Sequence, residues 1–109
     1  MSSNLGRVLI AEDELLIQMN LVLHLEDEGL QVEATNSADA ALPLMECDQN
    51  FSVVVTDVNM PGNLDGIGLA AKVHRSWPTI KLVVTSGNPV PDSVLPPGAV
   101  FIPKPYDAE

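Results

Sequence analysis

The chain of 109 residues has few aromatic side chains, few basic side chains and a single cysteine, Cys47. Aromatic residues make up only 4% of the sequence, so a core must be built from Leu, Val, Ile and Ala. One cysteine cannot form an internal disulfide, and no zinc-type Cys/His spacing occurs. Five basic against fifteen acidic residues give a net charge of −10. This balance argues against nucleic acid or an anionic membrane as a direct partner, because phosphate binding needs a basic surface.

Long apolar runs are also missing. No run reaches the length of a membrane span, and the polar stretch Met1–Gly6 has no signal-peptide core. Hydrophobic residues nevertheless make up 46% of the chain and charged residues 18%, which excludes a disordered polymer. The length suits one domain with a single core, over residues 1–109. We therefore expect one cytoplasmic domain.

Short extended runs alternate with helical patterns along the whole chain. The alternation predicts a doubly wound α/β fold, in which helices cover both faces of a five-stranded parallel sheet. We predict strands at Arg7–Ala11, 30–34, Phe51–Asp57, Ile80–Val84 and Val100–Ile102, and helices at about Glu14–Glu28, Ser37–Glu46 and Ile67–Ser76.

The first predicted helix is apolar on more than one face, so one apolar stripe must pack on the sheet. We interpret the other as core too, and leave open that it docks a partner helix or forms a homodimer. One stripe comprises Leu15, Leu16, Met19, Val22 and Leu23, and the other comprises Ile17, Leu21 and Leu25.

Prolines limit helix formation elsewhere. Pro43 lies inside the second predicted helix and removes one backbone hydrogen bond, so we expect a kink or a short helix. Four prolines lie between Pro89 and Gly98 and leave room for one helical turn at most, around Asp92–Leu95. We therefore expect the fourth helix to be reduced.

Reactive side chains follow four of the predicted strands. Glu12 and Asp13 end the first strand, Asp57 the third, Thr85 the fourth and Lys104 the fifth. In a parallel sheet the carboxyl ends of all strands lie at one edge, and ligands bind there where the strand order reverses. We therefore expect these side chains to meet at one site.

The chemistry of such a site follows from its charges. Neighbouring carboxylates repel one another unless a cation lies between them, and oxygen ligands suit Mg²⁺. A carboxylate beside such an ion can attack phosphorus, while a lysine neutralises charge on the transferring phosphoryl group. A hydroxyl such as that of Thr85 can hydrogen-bond the product oxygens. The groups present are those that an aspartyl phosphate needs.

These motifs together resemble the CheY-like receiver domain of bacterial two-component response regulators. The resemblance rests on Glu12-Asp13, on Asp57 with Met60-Pro61 and Asp65-Gly66, on Thr85 and on Lys104-Pro105. It covers essentially the whole chain, so that residues 1–109 are expected to form one receiver domain with a truncated carboxyl-terminal helix. The final helix that the resemblance implies would begin near Tyr106, three residues before the sequence stops, so we expect it to be absent. The loop after Met60-Pro61 is one residue longer than the usual pattern.

The resemblance implies a flavodoxin-like strand order 2-1-3-4-5 and a role for each site residue. Asp57 accepts a phosphoryl group from a sensor histidine kinase or a histidine phosphotransfer protein. Phosphorylation then changes the conformation that an unknown output protein recognises. Mg²⁺ is bound by Asp13, Asp57 and the backbone carbonyl of Asn59, and by Glu12 through water; Lys104 and Thr85 contact the phosphoryl group, and Phe101 is the coupled aromatic switch.

Two other classes compete with this interpretation: a degenerate receiver, and a protein with a different activity on a similar sheet, of which two kinds are considered. A degenerate receiver that only binds proteins would need none of the groups Glu12, Asp13, Asp57, Thr85 and Lys104. A haloacid-dehalogenase-like phosphatase would have a second Asp two residues after the nucleophile, where this chain has Asn59. A flavodoxin-like cofactor protein would have a phosphate-binding loop after the first strand, where this chain has three carboxylates. We therefore expect a protein that catalyses only its own phosphorylation and dephosphorylation.

Overall fold

The computed structural model describes residues 6–47, 50–59, 64–88 and 90–104. Strands and helices alternate from the first described residues to the last, as the sequence pattern predicts. The elements are β1 (Arg7–Ala11), α1 (Leu15–Asp27), β2 (Gln31–Thr35), α2 (Ala38–Cys47), β3 (Val53–Asp57), α3 (Gly66–Ser76), β4 (Lys81–Ser86), a 3₁₀ turn (Asp92–Val94) and β5 (Val100–Pro103).

The strands form one parallel sheet in the order β2-β1-β3-β4-β5. The predicted doubly wound fold and its strand order are therefore confirmed. The order reverses between β1 and β3, where the chain leaves one side of the sheet and begins to build the other. β4 extends to Ser86, two residues further than predicted, so Thr85 lies within the strand and pairs with Asp57.

One face of the sheet is covered by α2 over β1 and β2 and by α3 over β3 and β4. Alternate residues of β1, β3 and β4 point to this face because successive side chains of a strand project to opposite sides. The side chains that meet there form a continuous apolar core. Its members include Leu9, Ala11, Val54, Leu82 and Val84 from the strands, Ala38, Ala41 and Met45 from α2, and Leu69, Ala70 and Val73 from α3.

The other face is covered by α1 over the β1 side of the sheet, and no residue of this helix is fully buried. Leu21 and Leu25 line a groove against the sheet. The other stripe comprises Leu15, Leu16, Met19, Val22 and Leu23. All of its side chains except the half-buried Val22 are exposed, and Leu16 is 81% exposed. The interpretation of this exposed stripe as core is wrong. A helix with two apolar faces can lay only one of them on a sheet, and no described element packs on the other.

The apolar groove beside α1 runs over the centre of the sheet. It has a volume of about 260 Å³. The groove is lined by side chains of α1, by Leu30 in the loop after α1, and by side chains of β1, β3, β4 and β5. The strand residues in it are Val8, Val53, Val55, Val83, Thr85 and Ile102.

Local chemistry sets two of the helix boundaries. The Ser37 hydroxyl accepts a hydrogen bond from the Ala40 backbone N–H at 3.0 Å and caps α2. This helix continues through Pro43 to Cys47. Gly29 follows α1 with a φ of 95°, a left-handed conformation that glycine adopts without strain.

Among residues 90–98, the described part of the proline-rich segment, the only helical turn is the short 3₁₀ turn Asp92–Val94, which confirms the reduced fourth helix. The predicted absence of a final helix concerns residues 105–109, which lie outside the described residues. Within the described ranges, no helix is both long enough and apolar enough to cross a bilayer.

Candidate functional site

Backbone hydrogen bonds extend the sheet past its carboxyl edge and align the loops that follow β3 and β5. The Val58 N–H donates to the Thr85 carbonyl at 2.9 Å, and the Lys104 N–H donates to the Ser86 carbonyl at 2.8 Å. Each loop residue is therefore held beside the end of β4. This places the residues after the strands in one cluster, as parallel pairing predicts.

Three carboxylates meet at this edge. Glu12, Asp13 and Asp57 each offer one oxygen, and these oxygens lie within 4.8 Å of one another. Glu12 and Asp57 are buried, whereas Asp13 is exposed. A set of hard oxygen donors, partly open to water, fits a small divalent cation such as Mg²⁺ better than a transition metal.

Lys104 inserts its ammonium group into the carboxylate cluster. Its Nζ lies 2.8 Å from Glu14 Oε1, 2.9 Å from Glu12 Oε1 and 3.2 Å from Asp57 Oδ2. All three side chains are buried: that of Lys104 is 9% exposed, that of Glu12 3% and that of Asp57 6%. The lysine is therefore the counter-ion of two buried carboxylates, which would otherwise be costly to bury.

The pKa values of this cluster reflect the same balance. Burial raises the pKa of Glu12, and the Asp57 charge adds to the rise, while Lys104 and the Glu14 backbone N–H oppose it. Burial alone would lower the pKa of Lys104, but its hydrogen bonds to Glu14, Glu12 and Asp57 outweigh burial and raise it. Lys104 is thus cationic at every physiological pH.

An open cleft of about 270 Å³ lies over the cluster. Its floor is the Asp57 carboxylate with the Lys104 ammonium beside it. A ligand can therefore approach Asp57 from solvent and meet the lysine at the same time. The lining residues are Asp13, Glu14, Asp57, Asn59, Gly87, Asn88 and Lys104.

The two predicted switch residues lie on opposite faces of the sheet. Thr85 is buried beside Asp57 in the strand register and lines the apolar groove under α1. Phe101 pairs with Val84 and packs against the core on the covered face. Thr85 itself pairs with Ile102. The structure therefore brings Thr85 next to Asp57, and it separates Phe101 from both by the thickness of the sheet.

Gly66 fixes the distance between the start of α3 and the end of β3. A Cβ at this position would lie 1.8 Å from the Asp57 carbonyl oxygen. Only glycine allows the helix to begin so close to the strand that carries Asp57. Asp65 caps this helix by accepting a hydrogen bond from the Gly68 N–H at 2.8 Å.

Two residues of the site escape sequence reasoning. Glu14 contacts Lys104, although its position in the chain indicates only the acidic first turn of a helix. Gln18, one turn later, donates from its Nε2 to the carbonyl oxygens of Glu12 and Thr35 at 2.9 and 3.0 Å. It thereby ties the loop that carries the acidic residues to β2. No pattern marks a glutamine for this role, because its acceptors are backbone atoms.

Comparison with known proteins identifies the family to which this arrangement belongs. The sequence model of the response regulator receiver domain matches residues 8–109. The chain is a member of the response regulator receiver family.

Individual bacterial relatives agree with this assignment. The receiver domain is 30% identical over 107 residues to the response regulator protein FleR of Pseudomonas aeruginosa, covering 94% of this chain and 22% of that protein. It is 34% identical over 104 residues to the transcriptional regulatory protein PdtaR of Mycobacterium tuberculosis, covering 92% of this chain and 50% of that one. The receiver domain thus spans at most half the length of these two relatives.

Solved structures carry the same fold. A response regulator receiver protein from Sinorhizobium medicae superposes with a TM-score of 0.88 at 25% identity, over 94% of this chain and 85% of that chain. The receiver fold, its strand order and the two-component family are therefore established for this chain.

Proposed function

We propose that this receiver domain accepts a phosphoryl group on Asp57 and that phosphorylation switches its conformation. The observation that carries the proposal is the pairing of the Asp57 carboxylate with the Lys104 ammonium at 3.2 Å, on the floor of an open cleft. A buried nucleophilic oxygen beside a cation is what transfer of a negatively charged group requires.

In the proposed reaction, an Asp57 carboxylate oxygen attacks phosphorus and a new O–P bond forms. From a phosphohistidine donor, the P–N bond breaks, and the imidazole keeps the electron pair and takes a proton from water. From acetyl phosphate, the P–O bond breaks and acetate leaves as the anion. Lys104 stabilises the charge on the phosphoryl oxygens in both cases. The domain acts on itself and turns over no separate substrate.

The cluster of acidic residues supports Mg²⁺ as the cofactor. Asp13 and Asp57 would bind the ion directly with the Asn59 carbonyl, and Glu12 would bind it through water. When bound, the ion neutralises carboxylate and phosphoryl charge. Thr85, next to Asp57 in the sheet, would donate a hydrogen bond from its hydroxyl to the phosphoryl group. Phe101, on the opposite face, would change its side-chain position in response to the movement of Thr85.

The proposed donors are a sensor histidine kinase or a histidine phosphotransfer protein, in the cytoplasm. An output protein, or a further domain, would read the phosphorylated state. The alternative function is a degenerate receiver that binds partners without being phosphorylated. That alternative gives no reason to place a lysine and three carboxylates in one cleft, because burying charged groups costs free energy even when they are paired.

The intact mass of the protein after incubation with acetyl phosphate and Mg²⁺ tests the proposal. We expect one phosphoryl adduct on the wild type. Asp57→Asn should lose the adduct completely, because an amide oxygen at this position is not a nucleophile of comparable strength. Omitting Mg²⁺ should also abolish it.

Asp27→Asn is the matched control, since it makes the same change on an exposed carboxylate at the end of α1. It should keep the adduct. An adduct that survives in Asp57→Asn would refute Asp57 as the acceptor. A folded wild type that takes up no phosphoryl group would favour the binding module.

A further inference from the structure

Lys104 has no spare hydrogen-bond donor. An ammonium group carries three N–H bonds, and three carboxylates lie within 3.2 Å of this one. A phosphoryl group on Asp57 introduces new acceptor oxygens in the same cleft. For Lys104 to bind them, at least one of its present partners has to give up its hydrogen bond.

The three partners differ in how easily they can leave. The Glu12 and Asp57 side chains are almost wholly buried, whereas the Glu14 side chain is 59% exposed. A buried carboxylate without a cation suffers a large desolvation penalty, whereas an exposed one is solvated again by water. Glu14 is therefore the partner that leaves at the lowest cost.

The Glu14 side chain has no other role in the described structure. Glu14 is the N-cap residue of α1, yet its side chain makes no capping hydrogen bond. Ser, Thr, Asp and Asn are the side chains that cap helices well. The carboxylate turns instead to Lys104, which lies 90 residues away in the sequence.

Glu14 is also linked to the buried part of the cluster. Its backbone N–H donates to Glu12 Oε2 at 3.0 Å, while Glu12 Oε1 binds Lys104. Both glutamates therefore hold the lysine from the same short loop. Glu14 and Lys104 line the cleft together, so the contact lies where a phosphoryl donor must enter.

We propose that Glu14 is a positioning residue that competes with the phosphoryl group for Lys104, and so slows phosphorylation of Asp57. This inference rests on the proposed function. In the unphosphorylated state Glu14 takes one donor of the lysine and holds the ammonium toward α1. Transfer of the phosphoryl group requires that this contact opens.

The test compares Glu14→Gln, Glu14→Ala and Glu14→Asp with the wild type, using the rate of phosphorylation by acetyl phosphate at saturating Mg²⁺. We expect each variant to react about threefold faster, the size of effect that an exposed ion pair supports. Glu26→Gln, which alters an exposed glutamate at the far end of α1, should leave the rate unchanged.

Glu14→Asp separates the proposed competition from simple charge repulsion. Aspartate keeps the negative charge at the mouth of the cleft, but its shorter side chain loses the reach to Lys104. A rate like that of Glu14→Gln supports competition for the lysine. A wild-type rate for Glu14→Asp, with faster Gln and Ala variants, would overturn it in favour of repulsion. Aspartate is also the better N-cap, so a weakened helix cannot explain the result.

A second readout needs neither Mg²⁺ nor a phosphoryl donor. The ¹⁵Nζ resonance of Lys104, assigned by its loss in Lys104→Met, should shift in Glu14→Gln and stay in place in Glu26→Gln. An unshifted resonance would overturn the contact itself.

Failure of the proposed function gives a different result. If the wild type forms no adduct but the Glu14 variants do, competition at Lys104 is supported and Asp57 is still the acceptor. If neither the wild type nor any variant forms an adduct, the phosphoacceptor function fails and the inference fails with it. If the wild type forms the adduct and the Glu14 variants form it at the same rate, the inference fails and the proposed function stands.

Discussion

The two faces of the sheet are built differently. The face under α2 and α3 is a closed core in which Leu69, Val54 and Val84 are completely buried. The face under α1 carries a groove in which Val53, Val55 and Val83 are only half-buried. Both faces are apolar, so the difference lies in what covers them and not in the strand residues.

The side chains of the candidate site project from the less covered face. Alternation along β3 puts Asp57 on the side of Val53 and Val55, and Thr85 lines the groove directly. Apolar burial is the largest favourable contribution to folding, and a close-packed region resists displacement. The closed face therefore supplies most of the stability. In the proposed switch, the groove beside Thr85 would give this side chain space to move when Asp57 is phosphorylated.

Truncating a large side chain of the closed core should have the largest effect, compared with the same change on the outer side of α1. Leu69→Ala removes a fully buried side chain of α3 and should lower the free energy of unfolding by about 2–5 kcal/mol. Leu23→Ala, on the exposed face of α1, should change it by less than about 0.5 kcal/mol. Urea denaturation measures both. Similar losses would mean that the α1 stripe is covered in solution.

Adding volume to adjacent residues of β4 compares the two faces within one strand. Val84→Leu overfills the closed core and should destabilise the domain by about 1–3 kcal/mol. Val83→Leu extends into the groove and should be nearly neutral. The midpoints of urea unfolding measure the destabilisation in the two variants. Equal destabilisation would show that the groove is as closely packed as the core.

Removing the cap of α2 should have a smaller effect, because it weakens the cover of the closed face without touching the core. Ser37→Ala loses the hydrogen bond to the Ala40 N–H and should cost about 1 kcal/mol. Ser76→Ala, at the exposed end of α3, is the matched control and should be neutral. A neutral Ser37→Ala in thermal denaturation would show that packing alone holds α2.

Local patterns predict most of the fold. The bounds of β1 agree with the predicted strand Arg7–Ala11. Ser37 begins α2 through a local hydrogen bond, and Gly29 ends α1 through its positive φ. The clustering of Glu12, Asp13, Asp57 and Lys104 follows from the parallel order of the strands. These features depend on spacing and on strand direction, which a single sequence contains.

Features that depend on what another element covers cannot be predicted in this way. The two apolar stripes of α1 look alike in the sequence, and only the packing on the sheet tells Leu21 from Leu16. The Glu14–Lys104 contact joins the start of α1 to the end of β5. Its geometry depends on the directions of two side chains across the edge of the sheet, and sequence spacing does not determine these directions.

The parallel pairing also determines when the site can exist during synthesis. Lys104 reaches Asp57 only after β4 lies between their strands, because β3 and β5 each pair with β4. Such long-range pairings form late, since each one must close a long loop. A nascent chain that has emerged through β4 therefore carries the proposed acceptor without its counter-ion. Competence for phosphoryl transfer would then appear in one step, at the moment the last strand docks.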